Sequence, residues 1–191
     1  MSPSEFSAAA PNLRCGAKFP LRREISAAAL ASPLPPAPNV MRLADLLNPN
    51  AVRTPLLATE KQSAINELVD AIAACSGCSD SDAVKRAVWE RESQRSTGIG
   101  EGLAIPHGKS AAVNELSLAI GKPAQPMEFG SIDKKPVQLI VLLISRPEKK
   151  DEHIQALGKI SKIMSSPQFR QLAYAATEPA ELYDLFIRAD S

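Results

Sequence analysis

The run 137-VQLIVLLI-144 decides the fold class of this chain. Its side chains are apolar on both alternating faces except at Gln138, which is the pattern of a central strand covered on both sides. The run is much too short to span a membrane, so no membrane insertion is expected. It predicts a buried sheet with helices packed on it, which is the α/β class.

The segments before this run supply further elements. Two shorter apolar runs, Leu103–Ile105 and Leu116–Ile120, are strand candidates. Thr59 opens a capping box, T-E-K-Q, and a serine and aspartate cluster at 79–82 can cap a second helix. The first of these helices carries apolar residues at helical spacing, namely Ile65, Leu68, Val69 and Ile72. The second helix delivers Arg91 at its C-terminal end.

After the central strand the pattern returns to helix from Asp151. Its apolar stripe consists of Ile154, Leu157, Ile160 and Met164, and Gly158 is expected to interrupt the helix. Ser166 and Thr177 are each followed closely by a proline, which predicts a helix cap and a first-turn proline. Two closing helices follow, at about Gln168–Ala176 and Glu181–Arg188.

Composition indicates one domain with a tail. The 191 residues are 45% hydrophobic and 23% charged, which is enough to bury a core. Because 22 basic residues balance 21 acidic ones, a nucleic-acid surface is not expected, and a protein or small-molecule partner is favoured. Three cysteines, an odd number, do not form a disulfide framework. This favours a reducing compartment, the cytoplasm.

Residues 1–40 differ in composition from the rest of the chain. They hold seven of the 16 prolines together with many alanines and serines, a composition that does not form a packed core. Two interpretations stay open. Either 1–40 is a disordered tail, or translation begins at Met41, where M-R-L-A-D-L-L opens the ordered pattern.

The cysteine pair and the tryptophan near the first two helices are expected to have structural and not functional roles. Cys75 and Cys78 form C-x-x-C without a second pair or a nearby histidine, so they are expected to mark a helix end, with redox or metal duty as the alternative. Trp89, the only tryptophan, is expected to pack.

The stretch 91-RESQRSTGIGEGLAIPHGKS-110 contains the candidate site. A proline fixes the backbone before His107, a glycine frees it afterwards, and the glycines at 98, 100 and 102 form a loop whose amides can turn toward an anion. Arg91 and Thr97 supply donors that hold phosphoryl oxygens. Taken singly, His107 could be an ordinary surface residue and Arg91 could pair with Glu92 or Glu101. The spacing G-x-G-x-G differs from the dinucleotide-binding fingerprint G-x-G-x-x-G, and it lacks the Lys-Ser/Thr ending of a P-loop, so neither kind of nucleotide site is expected.

In combination these residues resemble the signature of the fructose/mannitol-type enzyme IIA domains of the bacterial phosphoenolpyruvate-dependent phosphotransferase system. The resemblance is carried by R-E at 91–92, T-G-I-G at 97–100 and G-L-A-I-P-H-G at 102–108. The nitrogen-regulatory branch is the most similar, because its members often read I-P-H-G. The resemblance implies one enzyme IIA type 2 domain at 41–191, with a mixed β-sheet flanked by helices on both faces.

The resemblance also implies roles for individual residues. The histidine of the family's P-H pair accepts a phosphoryl group on Nε2, which assigns that role to His107. A second active-site histidine lies in an H-L-x-x-L helix after a buried strand, and H-I-Q-A-L assigns phosphoryl stabilisation to His153. Arg91 is expected to contact the phosphoryl group or a partner, and Thr97 to donate its hydroxyl. From pattern alone, His153 could be a solvated first-turn residue.

The implied reaction is phosphoryl transfer from a phosphohistidine carrier similar to HPr to His107, then to an enzyme IIB, or use of the phosphorylation state as a signal. No cofactor or metal is implied, because the phosphoryl group arrives on one protein and leaves on another. Two other classes stay open. One is a regulatory module that docks to a kinase or transporter, and the other is a metal hydrolase using His107, His153 and Glu101.

Overall fold

The predicted central strand is present in a computed structural model, which describes residues 41–190 of the chain. This strand, β6, spans Leu139–Ser145, and all seven of its residues are buried. Val137 lies outside it and forms an isolated antiparallel bridge with Met127, so the strand begins later and ends later than the apolar run. The interpretations of residues 1–40 fall outside the described residues.

The strands of the described residues form one mixed sheet. In chain order they are β1 Leu47–Leu56, β2 Gly98–Gly100, β3 Leu103–Ala104, β4 His107–Lys109, β5 Ser117–Pro123 and β6. β5 runs antiparallel to β6 on one edge, while β3 and β4 run parallel to it on the other. β1 pairs with β5 in parallel, and β2 pairs with β3 in antiparallel fashion.

Helices cover both faces of this sheet. They are α1 Lys61–Ser76, α2 Ser81–Gln94, α3 Lys150–Met164, α4 Pro167–Ala175 and α5 Pro179–Ala189. Leu139, Val141 and Leu143 of β6 share a core with buried residues of α3, α4 and α5. The residues between them, at 140, 142 and 144, share the opposite core with α1 and α2. The predicted fold class, a mixed sheet flanked by helices on both faces, is confirmed.

Strand β1 is not predicted by the sequence patterns. It contains Pro49 and Pro55 together with two asparagines, residues that are depleted in strands. Among the strands of residues 41–190, β1 lies at the end of the strand order and pairs only with β5. An edge strand tolerates proline because the missing N–H need not meet a second neighbour.

The predicted cap of α1 is wrong. The N-cap is Glu60 and not Thr59, and no side chain in the described part of the chain caps this end of the helix. The preceding segment is held from within α1, since the Glu67 carboxylate accepts hydrogen bonds from the amides of Leu57 and Ala58 at 3.1 and 2.9 Å. A carboxylate from the second helical turn therefore fixes the segment that leads into α1.

Of the predicted N-caps of α2, α4 and α5, the first two are confirmed and the third is wrong. Asp80 caps α2 and Ser166 caps α4, each through its side chain, as predicted. At α5 the N-cap is Glu178 and not Thr177. The amide of Thr177 instead donates to the Glu181 carboxylate at 3.2 Å, so this turn is held by a side chain inside the helix.

Helix α3 is continuous, contrary to the interruption predicted at Gly158. Gly158 lies on the exposed side. Apart from the backbone of its own helix, no atom of residues 41–190 comes within 4 Å of where a Cβ would stand. The predicted stripe is also wrong at one position, because Ile154 is 56% exposed whereas His153 is 4% exposed. His153 lies three residues before Ala156 and seven before Ile160, and all three share the core-facing side of the helix.

The remaining sequence interpretations of α1 and α2 agree with the structure. α1 ends at Ser76, followed by Gly77 with φ 64°, so Cys75 and Cys78 flank a helix end as predicted. Trp89 is partly buried against the core beneath α1 and α2, which is a packing role. No helix within residues 41–190 combines the length and apolar character needed to cross a membrane.

Candidate functional site

His107 lies at the start of β4, past the end of the β2–β3 hairpin. β3 and β4 follow one another along β6 in one register, with Leu103 opposite Leu139 and His107 opposite Leu143. Pro106 separates them because it has no N–H, although its carbonyl still accepts the Leu143 amide at 3.0 Å. Since paired residues point to the same face of a sheet, His107 points to the side that α3 covers.

The glycine-rich approach to His107 is a hairpin turn and not an open anion-binding loop. Gly100 and Gly102 have φ values of 100° and 81°, and Glu101 between them has φ 55°. The amide of Glu101 donates a hydrogen bond to the carboxylate of Asp133 at 2.8 Å, so its acceptor is an anion within the protein. This hydrogen bond holds the pKa of Asp133 below its ordinary value. The turn is thus closed by the chain itself.

Gly108 has a different role from the one predicted, since it allows a close approach and does not provide backbone freedom. An added Cβ would lie 2.8 Å from Cγ2 of Val88 and 3.1 Å from the backbone of the same residue. Only glycine lets α2 approach β4 this closely. The residue after His107 therefore fixes the distance between the site strand and the helix that carries Arg91.

The hydrogen bond of His107 determines which ring nitrogen is free. Its Nδ1 lies 2.9 Å from the carbonyl oxygen of Ile105. A carbonyl only accepts, so Nδ1 carries the hydrogen and Nε2 keeps its lone pair. Burial lowers the pKa of His107, the Ile105 hydrogen bond opposes this, and the positive charges of Arg91 and Lys109 lower it further. The result is a neutral imidazole with a nucleophilic Nε2.

The second histidine lies beside the first, as the sequence predicts. The rings of His107 and His153 are 5.5 Å apart between centroids and meet edge to face at 64°. Nδ1 of His153 lies 2.8 Å from Oγ of Ser145. Burial lowers the pKa of His153 to about 4. The charge that His107 gains in acid and the positive charge of Lys109 act in the same direction. His153 is therefore neutral at physiological pH.

Arg91 lies in the last turn of α2, close enough for its charge to lower the pKa of His107. One guanidinium nitrogen donates to the carbonyl of Arg95 at 3.0 Å. Neither carboxylate considered from the sequence pairs with it, because Glu101 lies near Lys135 and Arg170 while Glu92 points inward. Within residues 41–190, most donors of Arg91 are therefore available beside the histidine.

Glu92 is a buried residue whose place sequence reasoning misses. It is 3% exposed, and its carboxylate lies 2.6 Å from Nζ of Lys61. It also accepts the amide of Thr97 at 3.0 Å and the hydroxyl of Thr97 in a short hydrogen bond. The single O–H of Thr97 is therefore engaged inside the protein. Lys61 lies 31 residues earlier in α1, so no local pattern could reveal the pair.

Lys109 is a second residue that the sequence did not single out. It lies two residues after His107 on β4, and alternation along a strand puts both side chains on one face. Its ammonium makes no salt bridge or hydrogen bond with the residues at 41–190, yet its charge lowers the pKa of both histidines. Its signal in the sequence is only the i, i+2 spacing from His107.

A family model described as phosphoenolpyruvate-dependent sugar phosphotransferase system, EIIA 2, matches residues 45–189. The chain belongs to this family. The resemblance identified from the motif around His107 is thereby confirmed, and the domain described above is an EIIA domain.

The relatives of this EIIA domain include sugar-specific PTS components and nitrogen regulatory proteins. The PTS system fructose-specific EIIABC component of Bacillus subtilis is 33% identical over 141 residues, which are 73% of this chain and 22% of that protein. The chain thus spans about a fifth of that relative's length. The nitrogen regulatory protein of Klebsiella oxytoca is 31% identical over 157 residues, which are 80% of this chain and 94% of that protein.

The solved structures include close matches to this EIIA fold. The crystal structure of nitrogen regulatory protein IIA-Ntr from Neisseria meningitidis superimposes with a TM-score of 0.70 at 25% identity. The match covers 75% of this chain and 98% of that one. The part of the chain that the structure describes therefore corresponds to nearly the whole of a separate IIA protein.

Proposed function

We propose that this EIIA domain is a phosphocarrier that accepts a phosphoryl group on Nε2 of His107 from a phosphohistidine protein similar to HPr. The observation that carries the proposal is the hydrogen bond from Nδ1 of His107 to the Ile105 carbonyl, at 2.9 Å. It leaves Nε2 as the nucleophilic atom at a sheet edge. The lowered pKa keeps this nitrogen unprotonated near neutral pH.

The transfer exchanges one N–P bond for another. The lone pair of His107 Nε2 attacks phosphorus in line, the bond to the donor imidazole breaks, and its electrons return to the donor nitrogen. Nδ1 of His107 keeps its proton and its hydrogen bond to Ile105. Such a step needs positioning and charge stabilisation more than covalent chemistry, so donors around the phosphoryl oxygens are the chief requirement.

Three side chains would supply those donors. Arg91 offers a guanidinium fork and His153 a ring N–H. Lys109 offers an ammonium that makes no salt bridge or hydrogen bond with residues 41–190. Thr97 would act indirectly, since its hydroxyl binds Glu92 and fixes the strand that precedes the site. The chemistry requires no nucleotide, metal or nucleic acid, and the proposed setting is the cytoplasm, where such carriers would meet.

The onward step has two candidates. A relative named as an EIIABC component supports transfer to a cysteine of an enzyme IIB. Relatives named nitrogen regulatory proteins support a second function, in which the phosphorylation state of His107 controls docking to a regulated kinase or transporter. Both need the same phosphohistidine, so its formation is tested first.

Mass spectrometry after incubation with phosphoenolpyruvate, enzyme I and HPr tests the proposal. The chain has two histidines, which makes the assignment a choice between two sites. We expect the wild type and His153→Ala to gain an acid-labile phosphate on His107, and His107→Ala to gain none. Because His107 is only partly buried and lies on an edge strand, circular dichroism should show that His107→Ala is folded. Phosphate on His107→Ala, or none on the folded wild type, would refute the proposal.

The metal-hydrolase alternative is tested separately. It needs at least three ligands, and the part of the chain at 41–190 holds no group of three or more His, Cys, Asp or Glu arranged to bind a metal ion. Elemental analysis of the purified protein should find no stoichiometric zinc, manganese or iron. A stoichiometric metal that His107→Ala or His153→Ala releases would favour the hydrolase.

A further inference from the structure

Ser145 is a buried hydroxyl on an otherwise apolar strand face. It is the last residue of β6 and is 0% exposed. The preceding residues on the same face are Leu139, Val141 and Leu143, all packed against the layer that contains α3. Oγ of Ser145 lies 2.8 Å from Nδ1 of His153. Packing alone gives no reason for a polar atom here.

Hydrogen-bond accounting determines the direction of this contact. The His153 ring is the only hydrogen-bond partner of the Ser145 hydroxyl within residues 41–190. If Nδ1–H donated to Oγ, the hydroxyl hydrogen would be buried without an acceptor, which is unfavourable. If the hydroxyl donates to Nδ1, both groups are satisfied. The hydroxyl therefore donates, and the ring proton of neutral His153 lies on Nε2.

We propose that Ser145 is a positioning residue that holds His153 in the Nε2–H tautomer, so that this imidazole presents a donor to the phosphoryl group on His107. The role in transfer rests on the proposed function, whereas the tautomer does not. Neither the sequence patterns nor the names of the relatives assign any part to this serine.

The two histidines would then be opposite tautomers, and each tautomer would be set by the group that hydrogen-bonds to Nδ1 of that ring. The Ile105 carbonyl can only accept, which puts the proton of His107 on Nδ1 and leaves Nε2 bare to attack phosphorus. The Ser145 hydroxyl donates to His153, which leaves Nδ1 bare and puts a proton on Nε2. The reverse arrangement would turn a lone pair toward anionic phosphoryl oxygens. A phosphoryl acceptor beside a phosphoryl-binding donor requires this pairing.

Nitrogen-15 NMR of the imidazole rings tests the tautomer in the full-length, unphosphorylated protein. The shifts and couplings of a ring distinguish a bare nitrogen from one that carries hydrogen. We expect His153 with hydrogen on Nε2 and His107 with hydrogen on Nδ1. Hydrogen on Nδ1 of His153 in the wild type would overturn the inference, whether or not any variant folds.

Ser145→Ala tests the consequence for transfer, with Ser117→Ala as the matched control. Ser117 is also a buried serine, at 3% exposed, and lies opposite Ile144 on the neighbouring strand, but its hydroxyl contacts the Glu115 carbonyl. Loss of one neutral hydrogen bond predicts transfer from phospho-HPr about two- to tenfold slower in Ser145→Ala. Ser117→Ala should transfer at the wild-type rate.

The ring signals separate positioning from general damage. In Ser145→Ala the Nδ1 resonance of His153 should leave its hydrogen-bonded position and an Nδ1–H population should appear, while His107 stays unchanged. Ser145→Thr, which keeps a hydroxyl, should restore the tautomer and most of the rate. Wild-type transfer in folded Ser145→Ala would overturn the role. If no variant and not even the wild type is phosphorylated, the proposed function fails while the tautomer result still stands.

Discussion

Replacing Lys61 with methionine would show how strongly the buried ion pair beneath the site holds the domain together. Lys61 Nζ lies 2.6 Å from the carboxylate of Glu92, whose side chain is 1% exposed. It also donates to the Phe129 carbonyl at 2.8 Å and lies 4.6 Å from the centre of the Phe129 ring. Methionine retains most of the aliphatic stem but leaves the Glu92 carboxylate without its cation.

The expected loss of stability depends on the hydrogen bonds that the Glu92 carboxylate keeps when Lys61 is replaced. Removing one partner of a buried pair destabilises a protein by about 3 to 5 kcal/mol. Glu92 would keep the two hydrogen bonds from Thr97, which favours the lower end of that range. We therefore expect Lys61→Met to lower the free energy of unfolding by about 3 kcal/mol, as measured by urea denaturation at pH 7.

The chain provides a matched control in Lys85→Met. Lys85 also joins α1 to α2, and its Nζ also lies 2.6 Å from a carboxylate, that of Asp70. Asp70, however, is 55% exposed and stays solvated when the lysine is removed. A loss of about 1 kcal/mol or less is expected there. The two variants thus share substitution, distance and helix pair. They differ in the burial of the carboxylate and in the contacts of Lys61 with Phe129.

Two results would refute this reasoning. One is an equal loss of stability in Lys61→Met and Lys85→Met, because burial would then make no difference. The other concerns the double variant Lys61→Met/Glu92→Gln, in which the uncompensated charge is also removed. It should be more stable than Lys61→Met alone, and a further loss would show that the buried charge is not the cause.

Three further predictions concern the strand, the helix and the second histidine. Gly108→Ala should lower the free energy of unfolding by about 1 to 3 kcal/mol through the clash with Val88, measured in urea. Gly158→Ala places a methyl group in open space on α3. Because alanine favours the helix more than glycine does, the free energy of unfolding should rise by about 0.5 to 1 kcal/mol. Because the folded pKa of His153 is about 4, below an unfolded value of about 6.5, its contribution to stability is present above pH 6.5 and lost toward pH 4. Urea titrations should show a shallower loss over that interval in His153→Gln than in wild type.

Local patterns predicted the elements whose periodicity is strong. The apolar run at 137–144 predicted β6. Helical spacing together with cap and proline signals predicted five α-helices, each beginning within a few residues of its observed start. β1 was missed because its prolines and asparagines suit an exposed edge, a property that depends on the finished sheet. The caps at Thr59 and Thr177 failed for a similar reason, since carboxylates inside the helices hold those turns.

In the candidate site, too, local motifs predicted some residues, whereas others depend on tertiary packing. His107 was predicted because its motif is contiguous, and His153 because its helix follows the buried strand. The inward position of Glu92 depends on Lys61, which reaches it only after α1 and α2 pack together. The open loop predicted from the glycines fails because Asp133 closes the turn from a distant segment.

Ser145 shows what the sequence could still have revealed. Residues 139, 141 and 143 alternate on the α3 side of β6, so position 145 belongs to that face and should be apolar if only packing mattered. His153, Ala156 and Ile160 likewise share the core-facing side of α3, where a polar residue is just as unexpected. The strand and helix are joined by a short turn, which brings these two exceptions together. Two polar residues on facing apolar surfaces satisfy each other, and the chemistry of the hydroxyl then determines which imidazole nitrogen carries the proton.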